Sequence, residues 1–258
     1  MTDLTPGVRE FLLAFADDEH LMGQQHAEWI GVAPFLEEDL AFSSIAQDEL
    51  GHAASLYAIV AGDGTPEPDD QTALDRAIDD LAFHRNAADY RSTQFTEVAS
   101  ADWAHALVRH WLYDAAEELR WALVADSSLT HLRHTAARAE REELFHRRHA
   151  DGLLDALLPA PDSAARLHRA LHDLLPLALG LFDPAGGEAE AVAAGIASAP
   201  FDTRLPEWTS RVRLRFPGVD TAGVVAPVPT GRRRRSADFT PLLARMREVL
   251  DLDPEAVW

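Results

Sequence analysis

The chain has 258 residues, of which 47% are hydrophobic, and a formal net charge of −20. That length fits one large domain with a sizeable core. It contains no cysteine, which excludes disulfides, thiolate metal sites and iron–sulfur clusters, so any metal must be held by nitrogen and oxygen. The negative charge argues against binding to nucleic acid or to an anionic membrane. Because neither a basic leader nor a run of about 18 apolar residues occurs, we expect a soluble, cytoplasmic protein.

Most of the chain shows apolar residues three and four positions apart, which is the periodicity of amphipathic helices, and no segment alternates like a strand. Short turns at "GVAP" and "ADSS" join four long helices into two hairpins. These helices are predicted over residues 6–29, 34–60, 102–124 and 129–158. The loop that contains "GDGTPEPDD" and a helix over 71–90 are predicted to connect the two hairpins.

Beyond the second hairpin the pattern predicts additional short helices. We expect helices over 164–181 and 191–199, then an irregular region, and a last helix over 241–250. Two hairpins joined by a long crossover indicate an all-α, ferritin-like four-helix bundle with extra C-terminal helices. We assign residues 1–182 to the bundle and 183–258 to a C-terminal extension that packs on it. Metal sites of such bundles lie between the helices.

Two copies of an acid-x-x-His motif lie on the predicted long helices. Glu49 and His52 form the first copy, and Glu143 and His146 form the second. Residues three positions apart share one face of a helix, so each pair can bind one ion. Because composition alone predicts about one such pair by chance, one copy is weak evidence for a metal site.

The hairpin geometry strengthens this interpretation. In an antiparallel hairpin, residues at equal distances from the turn lie at the same height. Reflection of Glu49 across the turn near residue 34 reaches position 19, which is Glu19. Reflection of Glu143 across the turn at 127–128 reaches a position next to Asp114. The spacings agree, because Glu19 and Glu49 are 30 positions apart and Asp114 and Glu143 are 29 apart.

Other acids near these positions leave alternatives open. Glu118, one helical turn after Asp114, is an alternative to Asp114, and Glu117 is a weaker one. Asp48 lies four positions before His52, and Glu142 lies four before His146. Each of these two acids could orient a ligating ring, either on its own hairpin or on the facing one. A place on the solvated flank of the bundle is the other interpretation of Asp48 and Glu142.

Each hairpin thus supplies one lone acid and one acid-x-x-His motif. The predicted metal ligands and catalytic residues are Glu19, Glu49, His52, Asp114, Glu143 and His146. Four carboxylates and two imidazoles are the ligand set of dinuclear iron or manganese sites in helix bundles. Four carboxylates also balance the charge of two divalent ions. We predict two iron ions, with manganese as the alternative.

The segment "AEWIGVAPFLEEDLAFSSIAQDELGHAASLY" resembles the phenylacetic acid catabolism family, and in particular the C-type subunits of ring-1,2-phenylacetyl-CoA epoxidase. The ending "GRRRRSADFTPLLARMREVL" is similar to C-type subunits as well. In contrast, "DEHLMG", "QDELGH", "WLYDAAEE" and "EELFH" resemble the A-type subunits of the same family. The A-type ligand set maps onto the six residues above and selects Asp114 rather than Glu118.

The resemblance implies a di-iron oxygenase, or a subunit of one, that activates O2 to oxygenate an aromatic CoA-thioester substrate. It also implies an oxygenase partner subunit and a dimer or hetero-oligomer. An external reductase would donate electrons, because the chain has no flavin, nicotinamide or iron–sulfur motif. C-type subunits commonly lack the ligands, so the alternative is a non-catalytic subunit that docks and stabilises an A-type partner. Iron storage or manganese catalase activity would leave the C-type segments unexplained.

Three further features of the sequence lie outside the predicted metal site. The run from Arg232 to Arg235 could bind coenzyme A phosphates or a partner, or it could be a solvated run or an internal charge partner. Trp103, Trp111 and Trp121 have helical spacing and are predicted to lie in the core, with the lining of a substrate pocket as the alternative. The remaining histidines that lack an acid at matching height are assigned no role: His26, His84, His105, His110, His149, His168 and His172.

Overall fold

The structure is a computed structural model that describes residues 4–62, 71–225 and 232–252. Within these ranges the chain forms ten α-helices and no strand, which confirms the all-α prediction. The helices are α1 (Pro6–Ala27), α2 (Leu36–Ala61), α3 (Gln71–Asp79), α4 (Gln94–Glu97), α5 (Trp103–Val124), α6 (Thr130–Leu157), α7 (Pro161–Ala178), α8 (Glu188–Ala193), α9 (Leu205–Arg215) and α10 (Phe239–Arg247).

The four long helices α1, α2, α5 and α6 form the bundle. Helix α1 packs along α2, α5 packs along α6, and α2 packs against α6. Side chains join α1 to α5, as in the buried ion pair of Asp18 with Arg120 at 2.9 Å. The long connection between α2 and α5 is that of a ferritin-like bundle, and this prediction is confirmed. Helices α7 and α9 pack on α5 from outside.

Local side chains cap the starts of two long helices. Pro6 opens α1, and the Thr5 hydroxyl accepts a hydrogen bond from the backbone N–H of Val8. The carboxylate of Asp102 accepts one from the N–H of His105 at the start of α5. These side chains satisfy backbone groups that have no partner within the first turn of a helix. Helix α1 ends at Ala27, two residues before its predicted end.

Aromatic side chains fill the core around the bundle. The rings of Phe15 and Trp121 lie 4.4 Å apart, and Phe201 from the C-terminal part packs against Phe11 at 5.3 Å. Burial of each such side chain contributes roughly 1.5–3 kcal/mol to folding. Trp111 and Trp121 lie in the core as predicted, whereas Trp103 is partly exposed.

A close approach of α1 and α2 occurs next to the centre of the bundle. A Cβ atom at Gly23 would lie 2.9 Å from Cγ of Leu50 and 3.1 Å from Cβ of Glu49. Glycine therefore lets the two helices approach at the height of Glu49, and a larger side chain would push the helices apart.

Three local predictions were wrong. The helix predicted over 191–199 lies earlier in the chain, because α8 ends at Ala193 and Gly195 adopts a left-handed conformation with a φ of 67°. The helix predicted over 71–90 ends earlier, because α3 stops at Asp79 and a wider π-type turn, Asp80–His84, follows it. Arg85 is extended, and its guanidinium pairs with buried Asp17. Helix α9 lies in the region predicted to be irregular, and Trp208 anchors it by donating a hydrogen bond to the carbonyl oxygen of Leu112 at 3.0 Å.

The division of the chain at residue 182 stays a prediction, and the loop over 63–70 lies outside the described residues. The basic run contributes to the interior, which favours its interpretation as an internal charge partner. Arg232 is buried and pairs with Asp18 at 2.6 Å, and Arg235 pairs with Glu97 at 2.7 Å. Among the helices that the structure describes, none is long and apolar enough to cross a membrane.

Candidate metal centre

The six predicted ligands come together in the middle of the bundle. Their ligand atoms form two groups, and within each group all atoms lie within 4.8 Å of one another. The first group is Glu19, Glu49, His52 and Glu143, and the second is Glu49, Asp114, Glu143 and His146. Glu49 and Glu143 belong to both groups. Five of the six residues are fully buried, and His146 is 3% exposed.

The two shared acids define the geometry of the centre. A carboxylate has two oxygens, so Glu49 and Glu143 can each bridge two neighbouring ions. Glu19 with His52 would complete one position, and Asp114 with His146 would complete the other. The helix pattern explains this symmetry, because each acid-x-x-His pair lies on one helix face and the two hairpins meet along α2 and α6.

One ring nitrogen of His52 faces the centre, and the other faces away from it. Its Nδ1 lies 3.0 Å from Oε2 of Glu19 and 3.8 Å from Oε1 of Glu143. Its Nε2 lies 2.7 Å from Oε2 of Glu142 on α6. The indole of Trp121 packs against the ring at 5.3 Å. These contacts fix the orientation of the imidazole.

His146 shows the same arrangement from the other hairpin. Its Nδ1 lies 3.6 Å from Oε1 of Glu143 and 3.8 Å from Oε1 of Glu49. Its Nε2 lies 3.1 Å from Oδ2 of Asp48 on α2. Asp48 and Glu142 therefore each hold the histidine of the facing hairpin. Of the two arrangements that the sequence leaves open, the structure has the one across the hairpins.

The buried donor atoms fit a pair of metal ions. Both oxygens of Glu49, Asp114 and Glu143 lack hydrogen-bond partners, and so does Nδ1 of His146. Buried polar atoms without a partner cost free energy, and ionised groups cost more. Divalent iron and manganese prefer this combination of carboxylate oxygen and imidazole nitrogen. Metal ions between the two groups would satisfy these atoms together.

The carboxylates carry strongly shifted pKa values. Burial raises the pKa of Glu49 well above its ordinary value, and the charges of Glu19 and Glu143 raise it further. Burial likewise raises the pKa of Asp114 well above the usual range. Burial raises the pKa of Glu143 to about 7, although nearby His146 opposes the shift. Without metal, several of these acids therefore hold protons at neutral pH.

The histidines hold protons as well. Burial lowers the pKa of His52, but contacts with Glu142 and Glu19 outweigh burial and raise it to about 9. Burial opposes protonation of His146 too, while Glu143 and Asp48 raise its pKa to about 11. Metal binding needs neutral imidazole and ionised carboxylate, so loading of this centre must release protons.

Two more side chains of α5 lie next to the centre: sequence reasoning missed Tyr113 and named Glu117 only as a weaker alternative to Asp114. The Tyr113 hydroxyl donates a hydrogen bond to Oε1 of Glu19 at 3.2 Å. Glu117 is fully buried and pairs with Arg120 at 2.5 Å. In the sequence, Tyr113 is adjacent to Asp114 and Glu117 lies one helical turn after it. These positions were a signal that both residues lie near the centre. Glu118, in contrast, lies outside the cluster, is 30% exposed in its side chain, and forms ion pairs with Arg147 and Arg211.

Two of the histidines without an assigned role also lie near the centre. Nδ1 of His110 is 3.0 Å from Oδ2 of Asp114, and Nε2 of His110 is 3.3 Å from Nδ1 of His149. His149 in turn contacts Glu38 through Nε2 at 2.9 Å. The spacing of four between His110 and Asp114 was visible in the sequence. The contact of His149 with Glu38 was not, because it joins distant parts of the chain.

The fold and these residues define the class: an all-α bundle with a buried centre of carboxylates and imidazoles that could hold metal ions. The chain belongs to the family of phenylacetic acid catabolic proteins, whose model matches residues 3–258. It is similar to the C-type subunit of 1,2-phenylacetyl-CoA epoxidase from Escherichia coli (strain K12). The two are 27% identical over an alignment of 258 residues that covers 96% of this chain and 98% of that protein. The family predicted from the sequence is therefore confirmed.

Proposed function

We propose that this chain binds two iron ions, with manganese as the alternative, and serves as a metal-carrying oxygenase component related to phenylacetyl-CoA epoxidase. The observation that carries this proposal is the overlap of the two donor groups at Glu49 and Glu143. A single structural metal would need only one such group. The similarity to one of the subunits of an epoxidase supports the oxygenase class.

The chain's own residues would hold the two ions as follows. Glu19 and His52 would hold one ion and Asp114 and His146 the other, and Glu49 and Glu143 belong to both donor groups. Four carboxylates compensate four positive charges, so the loaded centre carries little net charge in its buried surroundings. When bound, the iron pair supplies the redox chemistry that activates O2.

The surrounding side chains orient the proposed ligands for that chemistry. Glu142 and Asp48 orient the two imidazoles, and Tyr113 donates a hydrogen bond that orients Glu19. Trp121 covers the ring of His52 with apolar surface and excludes water from that side. Held in this way, the donor atoms need little rearrangement when charge changes at the centre.

The substrate class follows from the relative's name rather than from a pocket. An aromatic CoA thioester such as phenylacetyl-CoA would receive one oxygen atom, and the second atom would leave as water. Two electrons per turnover must come from a separate reductase. An oxygenase partner subunit and a hetero-oligomeric assembly agree with the relative's designation as one of several subunits.

Metal analysis tests the proposal directly. The protein is loaded with Fe(II) without oxygen, desalted and analysed for iron. We expect two iron ions per chain, and O2 consumption when a chemical reductant and phenylacetyl-CoA are added. A protein that retains no metal under these conditions would contradict the proposal. Metal retention without O2 consumption would contradict the oxygenase part alone.

The second function is that of a structural subunit that docks and stabilises a catalytic A-type partner. Similarity to a C-type subunit favours it. Size-exclusion chromatography with an A-type protein, before and after metal removal, distinguishes the two. If the metal-free chain forms the complex and supports full epoxidation, the structural role is correct. If activity of the complex follows the metal content of this chain, the catalytic role is correct.

A further inference from the structure

Helix α1 carries three consecutive acids, Asp17, Asp18 and Glu19, and each of them is fully buried. Successive positions on an α-helix are about 100° apart around its axis, so the three carboxylates point to three different sides of α1. Glu19 points into the candidate metal centre. Asp17 and Asp18 point to other sides, where other segments of the chain hold them.

Asp18 has partners on both of its oxygens. Its Oδ1 accepts a hydrogen bond from the backbone N–H of Thr93 at 2.8 Å. Its Oδ2 pairs with the guanidinium of Arg120 at 2.9 Å and with that of Arg232 at 2.6 Å. Arg120 lies on α5, whereas Arg232 is 214 positions away from Asp18 in the chain. The carboxylate thus joins the helix that carries Glu19 to two distant segments.

Arg232 begins a segment, residues 232–236, that we call the strap. Arg235 attaches the strap to α4, because it pairs with Glu97 at 2.7 Å. The backbone N–H of Ser236 donates a hydrogen bond to the same carboxylate at 2.6 Å. Arg232 instead turns into the protein and is buried against Asp18. The strap is therefore held at both of its ends.

The backbone of Arg232 is strained. Its φ is 56°, and within the described part of the chain it is the only residue other than glycine with a positive φ. This left-handed region is unfavourable for a residue with a Cβ atom. The guanidinium also donates a hydrogen bond to the carbonyl oxygen of Leu181 at 3.0 Å. Strained conformations persist where the surroundings impose them, and they are concentrated at functional sites.

Stability alone does not account for the ion pair of Arg232 with Asp18. In a buried ion pair, the loss of hydration offsets most of the attraction between the charges. Such a pair does fix the direction of its carboxylate. Asp17 supplies a second set of directed contacts on another side of α1, because it accepts hydrogen bonds from the hydroxyl of Tyr57 and from the backbone N–H of Arg91, both at 2.6 Å. Contacts on two sides fix the rotation of α1 about its axis.

The rotation of α1 decides where the carboxylate of Glu19 lies. Side-chain atoms lie about 5–6 Å from the helix axis, so a rotation of about 10° moves a carboxylate oxygen by about 1 Å. Distances between a metal ion and its ligands vary by only about 0.2 Å. A small rotation of α1 would therefore remove Glu19 from its metal position. Asp114 lies on α5, and among the described residues no hydrogen bond or ion pair joins the strap to α5.

We propose that Arg232 is a positioning residue, which acts through Asp18 to hold α1 in the rotation that places Glu19 in the metal centre. This inference rests on the proposed function, because it concerns the binding of a metal ion by Glu19. The Glu19 position then depends on the strap, whereas the Asp114 position does not. Coupling between two sites is reciprocal, so a metal ion at the Glu19 position also holds the strap in place.

A Co(II) titration of the whole protein, followed by visible absorption, tests the first direction of this coupling. The Glu19 position is identified as the titration step that Glu19→Gln removes. Arg232→Met removes the charge, and Arg232→Lys keeps the charge but loses the planar fork of donors. Arg234→Met is the matched control from the same run of arginines. Arg234 is exposed, and its side chain forms no hydrogen bond or ion pair with the residues that the structure describes.

In Arg232→Met, we expect the Co(II) affinity of the Glu19 position to fall by about 10–100-fold, the range for loss of an outer-shell partner. The affinity of the Asp114 position should not change. Arg232→Lys should show a smaller loss. In both variants the absorption spectrum of cobalt at the Glu19 position should change, because its ligands move. The control should bind both ions normally, and a general loss of stability would weaken both positions together.

Tryptic cleavage tests the opposite direction, because the strap contains the four arginines from Arg232 to Arg235. When opening and closing are fast, cleavage of a segment follows the population of its open form. Bound Co(II) should therefore slow cleavage within the strap by about tenfold, which is within the usual range of coupling between sites. Glu19→Gln should show no such protection. Mass spectrometry locates the cleavage, and this measurement decides the question if neither Arg232 variant folds.

Three results would overturn the positioning role. The first is an unchanged Glu19 position in Arg232→Met, and the second is an equal loss of affinity at both positions. The third is equal cleavage of the strap with and without Co(II). If the unaltered protein binds no metal, the proposed function fails and this inference fails with it. Two bound ions together with any of the three results reject the inference alone.

Discussion

The two hairpins contribute the same types of candidate ligand to the centre but place them in different surroundings. In the first, Glu19 accepts a hydrogen bond from Tyr113 and pairs with His52. In the second, Asp114 has a ring nitrogen of His110 nearby but no aligned hydrogen bond. Burial opposes ionisation at both acids. At Glu19 the bonds from His52 overcome it and hold the pKa at about 2, whereas the pKa of Asp114 rises well above its ordinary value.

This difference shows that a repeated motif does not produce two equivalent candidate metal positions. The surroundings come from other helices, and those helices are not repeated. An ion at the Glu19 position must first separate the pair of Glu19 with His52. An ion at the Asp114 position meets donor atoms that have no partners. We therefore expect the Asp114 position to fill first.

The largest effect is expected at Glu49, which both positions share. Glu49→Gln keeps the shape of the side chain but removes one oxygen donor and the charge. We expect loss of both metal ions with the fold retained, because the buried acid is already protonated without metal. Elemental analysis and circular dichroism measure the two outcomes. Glu140→Gln, on the exposed side of α6, is the control and should keep both ions. Retention of one tightly bound ion in Glu49→Gln would show that Glu49 does not bridge.

The next largest effect on metal binding should distinguish the Asp114 position from the Glu19 position. Asp114→Asn is expected to abolish the first step of a Co(II) titration, and Glu19→Gln to abolish the second. The metal affinity of each position should fall by more than about 100-fold. That factor is the largest loss expected when a residue that only hydrogen-bonds to a ligand is replaced. Visible absorption of the cobalt-loaded protein measures both steps.

Glu118→Gln is the control for this pair, because Glu118 forms half-exposed ion pairs outside the cluster. Loss of an exposed ion pair costs about 0–1 kcal/mol of stability and should leave both titration steps unchanged. The order of filling would be refuted if Glu19→Gln removed the tighter step.

A smaller effect on metal affinity is expected from the acids that orient the histidines. Each acid should affect the metal position whose histidine comes from the opposite hairpin. Asp48→Asn should weaken the position of His146, and Glu142→Gln should weaken that of His52, each by about 10–100-fold in affinity. The same cobalt titration measures the effect. An acid on one hairpin would thus tune the metal position of the other. If each substitution weakened the position on its own hairpin, the contacts across the hairpins would have no part in binding.

The last prediction concerns pH. Metal must displace protons, so affinity should rise by about tenfold per pH unit for each proton released near neutral pH. Stability of the metal-free protein should change in the opposite direction. Folding raises the pKa of Glu143 from 4.5 to about 7, so its stabilising contribution is complete below the lower value and disappears as pH rises through the higher one. Thermal unfolding between about pH 5 and pH 8, with and without Fe(II), measures both trends. A metal-free protein that gains stability over this range would contradict the assignment of protons to the cluster.

Local pattern was sufficient for the long helices. The short turns mark their ends, and the spacing of apolar residues marks their faces. Reflection across each turn then predicted that Glu19 lies opposite Glu49 and Asp114 opposite Glu143. In a tight hairpin, residues at equal sequence distances from the turn lie at the same height along the helices. The same reasoning failed at Arg85 and in α9. There, a buried partner far along the chain decides the structure: Asp17 for Arg85, and Leu112 for Trp208.

The sequence by itself determined the helical class, the family and the six residues that meet in the centre, because helical periodicity and short turns act over a few residues. The tertiary structure alone decided which atoms face each other. It made Glu49 and Glu143 common to both donor groups, paired Asp48 and Glu142 with the histidines of the opposite hairpin, and placed Arg232 against Asp18. The physical reason is that these contacts depend on the rotation of each helix about its axis, which packing between distant segments sets.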